Sequence, residues 1–168
     1  LVLSSGLKTV SADDMEGRRT GSKGSEKARE YILDRIHGTA FKGNVDVEVL
    51  PFDVQPRKEG EGKVIQGINI LVHLEGTGKS DKGLIVTAHY DHVGINKGEI
   101  YNGADDNASG TTGLLAIAEA LTEYGPMKRT IMLMWVSAEE KGLLLRVERR
   151  EDLAEARRAG RADQRGGD

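Results

Sequence analysis

Leu84-Ile85-Val86-Thr87-Ala88-His89-Tyr90-Asp91 is the stretch that decides the fold. A nearly unbroken apolar run, Leu84 to Ala88, stops abruptly at His89. Such a run suits a strand covered on both faces. A second run of the same kind, Ile131 to Val136, leads into Ser137-Ala138-Glu139-Glu140. Between the two, Thr111 to Tyr124 places Leu114, Leu115, Ala118 and Leu121 on one helical face, and Gly125-Pro126 stops it. Ser109 stands where an N-cap belongs. Strand, loop, helix, strand is a βαβ unit. It predicts an α/β fold with a mostly parallel (mixed) sheet flanked by helices.

On the N-terminal side, Ile68 to Leu74 is a third strand-length apolar run. Val45, Val47 and Val49 alternate with Asp46 and Glu48, which reads as a half-exposed strand ended by Pro51. Residues 53–63 read as a loop. Ala28, Tyr31, Ile32, Leu33 and Ile36 recur at helical spacing, with Ser22 or Ser25 as cap and Gly38 as stop. Asp13 to Ser22 reads as a polar, Gly-punctuated entry loop.

Composition bounds the function. The 168 residues are 38% hydrophobic and 30% charged, as in a soluble globular domain. A net charge of -3 gives no reason to expect nucleic acid or an anionic membrane as partner. The absence of cysteine excludes disulfides, thiolate ligands and a cysteine nucleophile. No apolar run approaches the roughly 18 residues of a membrane span, and no signal peptide is legible. Oligomeric state has no signature.

Three polar clusters fall where chemistry gathers in an open α/β sheet, outside the carboxyl ends of the strands. His89-Tyr90-Asp91 follows one strand and Glu139-Glu140 another. Gly103-Ala104-Asp105-Asp106-Asn107-Ala108-Ser109-Gly110 precedes the helix. Each alone has an ordinary explanation: a lone strand-end histidine is usually structural, Asp-Asp favours turns, and Glu-Glu is usually a solvated face. Their convergence on one sheet edge makes a catalytic-type zinc site the better reading, since such sites use His, Asp and Glu. Asp91, two residues from His89, could accept the second ring N–H of that histidine. Of the adjacent glutamates, one could bind metal while the other takes a proton. His37, His73 and His92 have no such context and are assigned no role.

These motifs resemble the M28 family of co-catalytic di-zinc aminopeptidases over about Leu3 to Leu144. Met15-Glu16-Gly17-Arg18 with Thr20-Gly21-Ser22 is similar to the family's entry segment. Ala88 to Gly94, Gly103 to Gly110 and Ser137 to Leu143 are similar to its three site motifs. The resemblance implies a zinc-exopeptidase-like, three-layer fold and a peptide substrate. It implies His89, Asp106 and Glu140 as metal ligands, Asp106 bridging two zinc ions. Glu139 would be general base toward a bridging water, and Asp91 would orient His89. The implied reaction is release of an N-terminal residue, and the implied location is secreted, periplasmic or cell-envelope.

Two further family ligands, an Asp after a later strand and a more distant His, have no counterpart. Residues 1–145 therefore read as a peptidase domain incomplete at its C-terminus. Residues 146–168 carry seven Arg and no Lys, against eleven Lys and six Arg before them, and read as an Arg-rich, non-native or disordered tail. A reading-frame shift or misassigned gene end near Leu144 to Arg146 would explain the change. The expectation is a marginally stable, inactive chain holding one zinc or none. Alternatives are a related di-zinc carboxypeptidase or dipeptidase, and a non-catalytic remnant.

Overall fold

The computed structural model describes residues 2–41, 43, 45–56, 62–80 and 82–142. The expected domain boundary at 145/146, the Arg-rich tail and the break near Leu144 lie outside the described residues. The described elements are α1 (Val2–Val10), α2 (Lys23–His37), β1 (Val45–Val54), β2 (Ile65–Leu74), β3 (Leu84–His89), β4 (Gly94–Asn96), β5 (Glu99–Tyr101), α3 (Ser109–Tyr124) and β6 (Ile131–Val136). Short turns at Asp13–Arg18, Ala104–Ala108 and Glu139–Lys141 carry most of the chemistry.

The fold is a mixed sheet flanked by helices. Its strand order is β1-β2-β6-β3. β3 and β6 pair in parallel through the α3 crossover, with Leu84 opposite Ile131 and His89 opposite Val136. β1 and β2 add antiparallel pairings, Ile70 lying opposite both Val49 and Trp135. The parallel pair brings the ends of β3 and β6 side by side. His89 and the Glu139 turn therefore emerge together.

Alternation along the strands divides the apolar residues between two faces. Ile70, Val72, Ala88, Leu133 and Trp135 face Ile32 and Ile36 of α2 and Leu114, Leu115 and Ala118 of α3, forming the larger core. Leu71, Met134 and Val136 form a smaller cluster on the opposite face. Trp135 is fully buried, and its indole N–H donates to the Thr111 carbonyl at 3.0 Å, tying β6 to the start of α3.

Several sequence expectations need adjustment. Pro51 does not end β1, which runs to Val54. A proline's missing N–H is tolerated because β1 is at the sheet edge. Ser22, rather than Ser25, caps α2, its side chain accepting from the Ser25 N–H at 3.3 Å. Ser109 is the first residue of α3 and not its cap. Its hydroxyl donates to the Asp105 carbonyl, while the Asn107 side chain accepts from the Gly110 N–H at 2.9 Å.

Asp13–Arg18 is a kinked 3-10 turn rather than an open loop, with positive φ at Glu16, Gly17 and Arg18. Gly17 is required there, because a Cβ would lie 2.4 Å from the Tyr101 carbonyl oxygen. The β4–β5 hairpin, turned by Lys97-Gly98 with both φ positive, had no counterpart in the sequence reading.

Candidate metal-binding and catalytic site

The site is assembled from three chain segments that follow β3, precede α3 and follow β6. His89 ends β3, and its backbone carbonyl accepts from the Thr111 hydroxyl at 2.9 Å. The Nδ1 atom of His89 lies 3.1 Å from the Asp91 backbone oxygen. A carbonyl can only accept, so Nδ1 donates and Nε2 is the ring nitrogen left to face outward. Nε2 lies 3.1 Å from Asp106 Oδ1. Two acceptors at that separation call for a proton or a cation between them.

Asp106 sits in the turn Ala104–Ala108, after Gly103 in the left-handed region and before a cis Asp106–Asn107 peptide. Gly103 is constrained from both sides: a Cβ would lie 2.4 Å from the Asp106 carbonyl oxygen and 2.4 Å from His92 Cδ2. The glycine thus lets the imidazole of His92 and the Asp106 backbone close on one another. Asp105, its sequence neighbour, is exposed and accepts the Ser109 hydroxyl at its backbone carbonyl.

His92, given no role by sequence reasoning, lies in this cluster. Its Nδ1 is 2.7 Å from Glu140 Oε1 and 3.8 Å from Asp106 Oδ2. One ligand atom each from His92, Asp106 and Glu140 falls within a 4.8 Å group. This is the one such group of three or more His, Asp or Glu side chains among the described residues. The signal for His92 was its spacing from His89. β3 ends at His89, so the two-residue alternation of a strand does not govern where the His92 side chain goes.

Asp91 is fully buried, but its carboxylate does not serve His89 as expected. Its Oδ1 stands 3.8 Å from His89 Nδ1, beyond a hydrogen bond. It accepts instead from the Thr20 hydroxyl at 2.9 Å and the Glu139 N–H at 3.2 Å. Asp91 thus orients His89 through its carbonyl and anchors the Glu139 turn through its side chain. Burial raises the Asp91 carboxyl above its ordinary value, opposed by Thr20, the Glu139 backbone and His89. Thr20 also accepts from the Ala138 N–H at 3.2 Å, where Ala138 holds a positive φ of 66°. The turn places Glu139 and Glu140 in succession, both partly exposed.

Arg18 braces these segments from behind. Its buried guanidinium donates to the carbonyls of Tyr90 (2.9 Å), Val10 (2.6 Å), Asn102 (2.7 Å) and Gly103 (2.9 Å). Burial lowers its pKa to about 10, with Asp91 and Asp106 acting in the other direction. The fork of donors joins the end of α1 to the segment after β3 and the Asp106 loop. A separate depression of about 300 Å³, lined by Asp34, Arg35, Gly38, Thr39, Glu119 and Thr122, contains none of the site residues.

The donor set fits a divalent transition metal: two imidazoles and two carboxylates, partly shielded, without thiolate. For His89, Asp106 and Glu140, the structure brings the first two into contact and links the third through His92. Among the described residues, no helix is long and apolar enough to cross a membrane.

Residues 69–144 match the sequence profile described as Peptidase family M28. A vacuolar membrane protease of Candida tropicalis is 30% identical over 126 residues, which span 73% of this chain and 13% of that protein. Leucine aminopeptidase 1 of Pyrenophora tritici-repentis is 31% identical over 122 residues, 68% of this chain and 28% of that protein. The chain thus spans well under a third of either relative. Among solved structures, a Porphyromonas gingivalis glutaminyl cyclase superposes with a TM-score of 0.68 at 18% identity, covering 83% of this chain and 47% of that one. At that identity the likeness is one of fold.

Proposed function

We propose that this chain, whose residues 69–144 belong to peptidase family M28, carries the metal centre of a zinc aminopeptidase that removes the N-terminal residue of peptides. The observation that carries the reading is the opposition of His89 Nε2 and Asp106 Oδ1 at 3.1 Å, beside Glu140, at adjoining strand ends. His89, Asp106 and Glu140 would hold the zinc. Bound zinc supplies Lewis acidity toward the scissile carbonyl and lowers the pKa of attacking water.

The chain's own residues set the geometry. Glu139 is the general base: it takes a proton at its carboxylate and returns it to the departing amine. Its position is fixed from the backbone, because Asp91 Oδ1 accepts the Glu139 N–H at 3.2 Å and Thr20 accepts from Ala138. Asp91 also fixes the His89 tautomer through its carbonyl. A secreted or envelope location accompanies this reading and is checked by fractionating the producing cells.

The test compares zinc-loaded wild-type protein with Glu139→Gln. The substrates are peptides blocked at either end or at neither. The reading predicts release of the first residue only where the amino terminus is free. It also predicts a loss of roughly 10²–10⁴-fold in turnover with zinc binding retained in the variant. Cleavage that needs a free carboxyl terminus would move the reading to a carboxypeptidase. Ammonia released from N-terminal glutamine would move it to cyclase chemistry, as in the glutaminyl cyclases that share the fold. Zinc binding without turnover would overturn the enzymatic half, the outcome anticipated from the sequence.

A further inference from the structure

We infer that His92 is a direct metal ligand, completing with Asp106 and Glu140 a three-residue site for one divalent transition ion. The inference rests on the metallopeptidase reading for the identity of the metal as zinc, and on the geometry for everything else. His92 follows the end of β3 by three residues, and its side chain is only 12% exposed. Its Nδ1 points between two carboxylates, 2.7 Å from Glu140 Oε1 and 3.8 Å from Asp106 Oδ2. Tetrahedral zinc with bonds near 2.0–2.2 Å holds its ligand atoms about 3.3–3.5 Å apart. The two measured separations straddle that spacing, so small rotations of the side chains suffice.

The ring is held there by its surroundings. Gly103 leaves no room on the Cδ2 side, and the His92 N–H donates to the Arg18 carbonyl at 3.4 Å. Arg18 in turn fixes the Gly103 carbonyl, so the loop bearing Asp106 and the segment bearing His92 share one brace. Asp106 presents its other oxygen, Oδ1, to His89. One carboxylate therefore joins both histidines. The donor set of His92, Asp106 and Glu140 lies wholly within residues 92–140. It could retain a single ion without the two later ligands that the family resemblance calls for.

Zinc X-ray absorption on the metal-loaded chain counts the imidazoles at the ion. His37, at the C-terminal end of α2, and His73, paired with Met132 within the sheet, lie on other elements. With one zinc per chain, the inference predicts an imidazole at the ion that is retained in His89→Gln and lost in His92→Gln. It also predicts that zinc affinity falls by more than the roughly 10–100-fold typical of losing an outer hydrogen-bond partner. An imidazole count unchanged in His92→Gln would overturn the inference and leave the peptidase reading intact, with His92 then a positioning donor to Glu140. No zinc bound at all would overturn both. Circular dichroism reports whether each variant is folded, and where His92→Gln is not, the imidazole count in His89→Gln decides the matter.

Discussion

Replacing Arg18 tests whether the site is assembled by a buried brace. Four carbonyls, those of Val10, Tyr90, Asn102 and Gly103, converge on one guanidinium that is fully removed from solvent. Hydrogen bonds to a charged group each contribute about 1.5–3 kcal/mol, so the four supply roughly 6–12 kcal/mol gross. Burial opposes the cation: its pKa falls from 12.5 to about 10. That shift corresponds to on the order of 3 kcal/mol. The favourable side wins, and removing the guanidinium strands the carbonyls in a dry interior.

Arg18→Ala should therefore lose about 3–5 kcal/mol, the range seen when one member of a buried charged network is deleted. Against a typical domain stability of about 5–15 kcal/mol, that is a large share. Arg18→Lys keeps the charge but cannot span four acceptors, and should fall between the two. Trp135 is the sole tryptophan and is fully buried, so urea unfolding can be followed by its fluorescence. Arg29→Ala, which breaks a partly exposed 3.8 Å pair with Glu26, is the control, expected within about 0.5 kcal/mol of wild type. An Arg18→Ala transition as close to wild type as that control would refute the brace.

Two more perturbations probe the same segments. Because burial raises the Asp91 carboxyl, the metal-free folded chain keeps that proton at pH values where the unfolded chain has lost it. Stability from this group is thus complete below its unfolded value near 3.8 and declines as pH rises toward the raised one. Asp91→Asn should gain on wild type most at pH 7 and least near pH 4 in chelator-treated urea titrations. A difference that does not change with pH would contradict it. Gly103→Ala forces a Cβ into contacts of 2.4 Å at a φ of 51°, and should cost about 1–3 kcal/mol. Zinc titration of that variant should also show weaker binding; unchanged stability and affinity would count against the close packing of His92 on Gly103.

The sequence disclosed what depends on local pattern. β3, β6, α2 and α3 were legible because continuous apolar runs and helical spacing are properties of the chain itself. That polar groups gather after β3, before α3 and after β6 was legible because strand ends and a helix start announce it, whereas the choice of His89, Asp106 and Glu140 as ligands came from the family resemblance. What escaped depends on tertiary partners. β1 passes through Pro51 because, among the described residues, it is the edge strand of the sheet, which the sequence of β1 cannot say. Arg18 looks like any polar loop residue until four distant carbonyls surround it. Asp91 was credited with a carboxylate contact to His89, but Thr20 and the Glu139 turn compete for that carboxylate and win. His92 was set aside because its reach toward Glu140 crosses 48 residues of sequence.

The most direct test is calorimetric titration of the chelator-treated chain with zinc, alongside Asp106→Ala. Asp106 faces His89 with one oxygen and His92 with the other, so every version of the metal centre described here depends on it. The account predicts tight binding of a single zinc per chain, lost in the variant while the fluorescence of Trp135 stays native. A wild-type chain that binds no zinc, or an Asp106→Ala chain that binds it as well as wild type, would contradict the account.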